Sequence, residues 1–185
     1  ADAVAVPTAK DEVVYGLLDL AGTVQDLYVV NSFNSGTITD YGNYSNLSNM
    51  STAEELMQES DTISIETTAD KFYYQGTLEN KNLPWDIKIN YQLDKQAITA
   101  AELAGKSGEL QITITTTSNP AINSAFFDNY LLQVTLMLDT DKATEIASAN
   151  ATLANAGKNK VITHTVMPGQ NADILITANI KNFSM

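Results

Sequence analysis

The chain has 185 residues, of which 44% are hydrophobic and only 17% charged. Its formal net charge is −12, from 22 acidic residues against 10 lysines, with no arginine and no cysteine. That balance excludes nucleic-acid binding, which needs clustered cations to displace counterions. It disfavours anionic lipid surfaces for the same reason. Without arginine there is no forked donor to grip phosphate or carboxylate, and without cysteine there are no disulfides, thiol nucleophiles or thiolate metal sites.

This length makes one large domain or two small ones. Mean hydropathy is −0.12, which suits a folded chain rather than a disordered one. Thr, Ser and Asn fill the polar positions; Thr suits strands, and Asn and Ser suit turns. This composition is typical of β-rich extracellular modules. No apolar run approaches the roughly 20 residues that cross a bilayer. The start at Ala1, "ADAVAVPTAKDE", reads as a mature start after a removed targeting segment. The ending "NFSM" reads as the end of a fragment.

Residues 1–10 read as a flexible lead. "EVVYGLLDLAGTVQDLYVVNSF" (12–33) is two apolar, β-branched runs around Ala21-Gly22-Thr23, a hairpin pattern. Residues 34–50, dense in Asn, Ser and Gly, read mostly as loop. Ser51 and Glu54 form a capping-box pattern and predict a short helix over about Thr52–Gln58.

Strands then dominate. Ile63 and Ile65 alternate with polar neighbours, as do Phe72, Tyr74, Gly76 and Leu78. After a break at Asn80–Pro84 comes "WDIKINYQL" (85–93), with Trp85, Ile87, Ile89, Tyr91 and Leu93 on one side and polar residues on the other. Such alternation means one buried and one wet face, as in antiparallel sheets. Further strands are predicted at about 97–98, 109–117, 130–139, 145–154, 160–167 and 173–182. The fold expected is mostly β: an immunoglobulin-like antiparallel β-sandwich over 83–185, preceded by a smaller β-rich unit over 11–82 with a short helix. Its predicted core contains Trp85, Ile87, Ile89, Leu110, Ile112, Ile114, Leu132, Val134, Leu136, Ile174, Ile176 and Ile180. Residues 98–113 and 162–177 also run alike, with Gly105 matching Gly169 and Ile112 matching Ile176. Two copies are too few for a solenoid.

Gly105-Lys106-Ser107 matches the end of a phosphate-binding loop. The first position of that motif is Ala100 instead of Gly, and the order is inverted, a helical turn followed by a strand. Thr99 and Glu102 look like the capping box of a single helical turn, with Gly105 just past its end in a left-handed conformation. The stretch is therefore read as a connector.

"WDIKINYQLDKQAITAAELAGKSGELQITI" resembles a segment common in exported proteins of Gram-positive gut bacteria, in which a strand ending "YxLDGK" leads into "AEELAGKSGKV" and a further strand. "DYGNYSNLSN", "FYYQGTLENKNLPWDIKI" and "LANAGKNKVITHTVMPGQNADI" fit the same pattern, so the resemblance covers most of 11–182. Lys95-Gln96 replaces the usual Gly-Lys turn, and Leu17-Leu18 is more apolar than usual. The resemblance implies an extracytoplasmic region, secreted or anchored at the cell surface. In full-length relatives this region precedes repeats like those of YhgE/Pip-type membrane proteins, so membrane attachment is expected only through regions outside this chain. It implies no catalytic residue.

Candidate chemistry is sparse. His164 is the only histidine, alternates with Ile162 and Val166, and lacks a Gly-x-Ser-x-Gly elbow elsewhere, so a packing or surface role is preferred. One histidine cannot build a zinc site. Asp139, Asp141 and Glu145 in "DTDKATE" place oxygen ligands at alternate positions, but the spacing is not that of a Ca²⁺-binding EF-hand, and a solvated turn is preferred. Asp61 with Asp70, or Asp26 with Asp40, are candidate glycosidase carboxylate pairs, a chemistry that depends on their separation in space. Tyr41 and Tyr44, in the Asn-rich stretch, and Tyr73, on the polar side of its strand, are candidate ligand contacts; Trp85 and Tyr74 belong with the core. Asn-x-Ser sequons that start at Asn43, Asn46 and Asn49 are incidental in a bacterial protein. No cofactor is expected. The function expected is a noncatalytic surface module, a scaffold or protein-interaction domain whose partner is another surface protein. A glycan- or peptide-binding module, through loop tyrosines or a free sheet edge, is the alternative, and a two-carboxylate hydrolase the second alternative.

Overall fold

The computed structural model describes residues 9–184, with Ser35 described by its backbone alone. The protein is mostly β, with thirteen strands and one short α-helix among the described residues. The chain divides into two compact units, one comprising the residues up to Asp19 together with Val24–Lys81, the other Leu20–Thr23 together with Asn82 onward.

The first unit is built on a hairpin of β1 (Lys10–Leu18) and β2 (Val24–Tyr41), joined through Gly22 at φ +90°. β2 pairs along almost its whole length with β5 (Thr62–Leu78), and β3 (Tyr44–Asn49) and β4 (Met57–Glu59) add to the far side of β5. The stretch 34–50, read as loop, is therefore mostly strand. Its Asn and Gly residues supply the register shift between Asn34 and Gly36, where the ladder bends. The helix expected at 52–58 is absent. The Ser51 hydroxyl that would cap it accepts instead from the Tyr73 backbone N–H (2.7 Å), and the Asn49 side chain satisfies the N–H groups of Ser51 and Thr52 (3.0 and 2.9 Å).

The β2–β5 ribbon is folded back on itself. Asp40 lies nine residues beyond Asn31 on β2, about 30 Å away in a straight strand. Tyr74 is paired opposite Asn31, yet its hydroxyl donates to Asp40 Oδ2 at 2.5 Å. The two halves of the ribbon thus share one core, containing Val29, Phe33, Ile38, Tyr44, Ile63, Ile65, Phe72 and Tyr74.

The second unit is a two-sheet sandwich. One sheet has the order β10 (Ala143–Ser148), β13 (Ala172–Ile180), β8 (Gly108–Ser118), β6 (Trp85–Leu93), β7 (Gln96–Ile98). The other has the order β11 (Thr152–Ala156), β12 (Asn159–Val166), β9 (Leu132–Asp139). The alternation that predicts these strands buries one face of each: Leu110, Ile112, Ile114, Ile174, Ile176 and Ile180 from the first sheet meet Leu138 and Ile162 from the second. Ile87, Ile89, Val134 and Leu136 pack at the margin, and Trp85 lies against Phe127 of helix α1 (Ser124–Asn129) with ring centroids 6.3 Å apart. The strand expected over 145–154 is two strands, because the chain turns at Asn150, φ 60°.

With β7 set aside as an edge addition, the seven remaining strands fill the four-plus-three layout of an immunoglobulin domain. The path through that layout differs. The seventh strand, β13, lies between the second (β8) and fourth (β10), where the immunoglobulin path places its fifth; the fifth, β11, takes the outer place in the small sheet. The two similar stretches end in β8 and β13, which pair with Ile112 opposite Ile176, and Gly105 and Gly169 share left-handed φ values of 74° and 70°. The strands that precede them pair in different sheets.

Replacing Ile112, 3% exposed at the centre of the sandwich, by Asp puts an unpaired carboxylate among aliphatic side chains. Ile112→Asp is expected to abolish cooperative unfolding of the second unit. An unchanged calorimetric profile would contradict the strand assignment.

Candidate functional site

The Gly105-Lys106-Ser107 stretch is a connector. The 3-10 turn Ala100–Leu103 precedes it, and the Glu102 carboxylate accepts from Thr99 N (2.9 Å) and Thr99 Oγ1 (2.7 Å). Those two hydrogen bonds hold the Glu102 carboxyl below its usual range. Gly105 N donates to Phe183 O at 2.7 Å and Lys106 N to Leu103 O at 3.0 Å, so the amides a phosphate would need are already bonded.

The three candidate tyrosines are not brought together. Tyr44 is only 7% exposed. Its ring lies over two glycines: a Cβ on Gly76 would sit 2.4 Å from its Cδ1, and one on Gly42 2.4 Å from its Cε2. Its hydroxyl accepts from Asn31 Nδ2 at 3.3 Å, and burial raises its pKa. Tyr44 therefore belongs to the core, because its glycine neighbours open a slot that sequence spacing does not reveal. Tyr41 and Tyr73 both face outward, but Tyr41 is paired with Thr62, and Tyr73 lies eleven residues further along the bent β5. Together the three form no aromatic platform.

Asp40 is the buried acid of the first unit. Lys10 Nζ lies 2.7 Å from Oδ1, and Tyr74 donates to Oδ2. Burial pulls the Lys10 pKa down, but the hydrogen bond and charge of Asp40 outweigh it and hold the ammonium above its ordinary value. Burial, then the Asp40 carboxylate, push the Tyr74 hydroxyl far up, so it stays protonated and donates. Both oxygens of Asp40 are thus engaged. Asn31 is fully buried and paired opposite Tyr74, and its Oδ1 has no hydrogen-bond partner among the described residues. Asp40→Ala strands Lys10 and Tyr74 and is expected to cost about 2–4 kcal/mol. Urea titration followed by tyrosine fluorescence checks this, and a loss below about 0.5 kcal/mol contradicts it.

His164 points inward and reaches across the sandwich: its Nε2 lies 2.8 Å from Ser148 Oγ on β10. The same Oγ donates to Leu175 O at 2.6 Å. With the Ser148 proton given to that carbonyl, Nε2 must carry the hydrogen and donate. A serine nucleophile requires the opposite polarity, with Oγ donating to a bare imidazole nitrogen. The Nδ1 atom has no acidic partner among the described residues. A shallow cleft of about 330 Å³ beside this pair is lined by Asn150, Gln170, Asn171 and Asp173 among others, and Asp173 accepts from Thr115 Oγ1 at 2.8 Å.

Burial depresses the His164 pKa below its usual 6.5. The unfolded chain then takes up the proton first as pH falls below about 6.5, and stability declines from there towards the lower folded value. His164→Gln removes this titration and keeps an N–H for Ser148, so its melting temperature is expected to fall less than the parent's between pH 7 and pH 5. Parallel declines would contradict this role.

In the "DTDKATE" turn, Asp139 Oδ1 accepts from Asp141 N (2.9 Å), and Oδ2 pairs with Lys158 Nζ (2.7 Å). Glu145 accepts from Asn179 Nδ2. No group of three His, Cys, Asp or Glu residues placed to hold a metal ion occurs among the described residues. No helix among them is long and apolar enough to cross a membrane.

One feature of the first unit has no interior role. Among the described residues β1 is an edge strand of its sheet, paired on one side with β2. Val13, Val14, Tyr15 and Leu17 are 48%, 42%, 53% and 55% exposed. They alternate between both faces of the strand, so neither face is covered. An exposed edge whose last six residues, Val13 to Leu18, are uncharged, with outward N–H and C=O groups unpaired by β2, is a template for another strand. The signal was present in "VVYGLL": apolar residues at both parities imply burial of both faces, and the fold buries neither.

No protein-family model matches the chain, and no curated protein matches it in sequence.

Proposed function

We propose that this chain is a noncatalytic module of an extracytoplasmic or cell-surface protein, serving as a scaffold or protein-interaction domain. The observation that carries this reading is the open apolar edge of β1, where Val13, Val14, Tyr15 and Leu17 stand exposed on an ordered strand. Monomers normally blunt such edges with charge, bulges or a covering segment; an edge left apolar suits a surface that another polypeptide completes. The acidic, arginine-free, Thr- and Asn-rich composition and the resemblance to exported Gram-positive proteins support the location. The polarity of the Ser148–His164 bond and the full engagement of Asp40 favour a noncatalytic reading over a hydrolase. The peptide-binding alternative merges with this one, since a free edge is how a sheet binds an extended peptide. The glycan version loses its support with the burial of Tyr44.

A photo-crosslinking side chain at Tyr15, in the protein in its producing cells, is expected to give a discrete protein adduct. The same group at Thr135, on the outer face of the small sheet, is expected to give none. Absence of an adduct from Tyr15, or turnover of a glycoside or peptide that Ser148→Ala abolishes, would contradict the proposal.

A further inference from the structure

The charges around β1 indicate what completes it, and this step rests on the interaction-module reading. The strand reads Lys10-Asp11-Glu12, then six uncharged residues, Val13 to Leu18, then Asp19. On β2, Asp26 is paired opposite Leu17, so a second acid stands at that end. Lys10 is held by Asp40 at 2.7 Å and Glu12 at 3.4 Å, and Lys81 donates to the Gln25 carbonyl. Counting these two cations, each end of the edge remains net negative, and the centre is apolar and neutral.

We propose that β1 accepts an extended segment of another protein, with about six alternating uncharged residues between lysine- or arginine-bearing ends, added as a further strand of the sheet. Main-chain hydrogen bonds to the outward groups of β1 would give affinity. Val13 and Tyr15 on one face, and Val14 on the other, would contact side chains of the incoming strand at the same level. The acidic ends would fix register and select basic flanks. A second copy of this chain is a poorer occupant. Antiparallel pairing of two β1 strands about Val14 brings Asp11 and Glu12 of one copy beside Asp19 and Asp26 of the other at both ends, in molecules that each carry a net charge of −12.

The test uses the full chain and a synthetic ten-residue peptide of alternating Val and Thr with two lysines at each end. Binding by fluorescence anisotropy at low salt is expected, with backbone NMR shifts concentrated on β1 and β2. The same peptide with glutamates at its ends is expected to bind at least about tenfold more weakly. Two central prolines are expected to abolish binding, because they remove the donors a ladder needs. Tyr15→Lys should weaken the lysine-ended peptide by at least about tenfold while leaving the melting temperature unchanged. Raising salt from about 0.05 to 0.5 M should weaken it several-fold, because exposed charges are screened. Equal affinity for both peptides, shifts away from β1, no binding at about 1 mM, or a free chain already dimeric through β1 in sedimentation would each overturn the proposal. An adduct from Tyr15 alongside any of these results would leave the interaction-module reading standing and remove only its basic-strand specificity.

Discussion

The contact on which the first unit depends is the Tyr74–Asp40–Lys10 bridge. A two-stranded ribbon of seventeen or eighteen residues per strand has one apolar face and, if straight, nothing to cover it. Bending at the Asn34–Gly36 shift lets the ribbon cover itself. The carboxylate of Asp40 then meets a hydroxyl from the other half of the ribbon and an ammonium from β1. Hydrophobic burial drives the closure, but it is non-directional. The buried acid makes one closed geometry preferable to its neighbours, since any slip would leave a desolvated charge unpaired.

The same bridge sets the character of β1. Lys10 opens that strand, and its link to Asp40 ties the strand's start to the folded-back half of the ribbon. β1 is thereby ordered as an edge although its own side chains remain largely exposed. An edge that is both ordered and open costs an incoming strand less entropy than a floppy one. Packing within the unit thus leaves an exposed edge, while in the second unit, a two-sheet sandwich, a His–Ser bond joins the two sheets.

Much of this was legible in the sequence where burial is local in origin. Strand 85–93 and the alternation around Ile112 and Ile176 needed only a period of two, and the Thr99–Glu102 turn needed only its capping pair. What escaped is non-local. The Asn- and Gly-rich stretch after Phe33 carries turn chemistry, yet pairing with β5 makes it strand, an override that propensity does not register. The helix signal at Ser51 failed because a strand twenty-two residues away claimed its hydroxyl. Tyr44 looked like a loop aromatic until two glycines from separate segments came to lie beneath its ring. The exchange of the fifth and seventh sandwich strands was invisible for a related reason: periodicity says which side of a strand is buried, not which strand lies beside it.

Residue-resolved hydrogen exchange on the free chain tests the central claim most directly. Along an antiparallel edge strand, successive N–H groups point alternately to the neighbour and away from it. The account predicts that every second amide from Lys10 to Leu18 is protected through β2 while those between exchange at nearly open-chain rates. Uniform protection would mean that the edge is already covered, and uniform exchange that β1 is not held; either result would contradict an ordered, open edge.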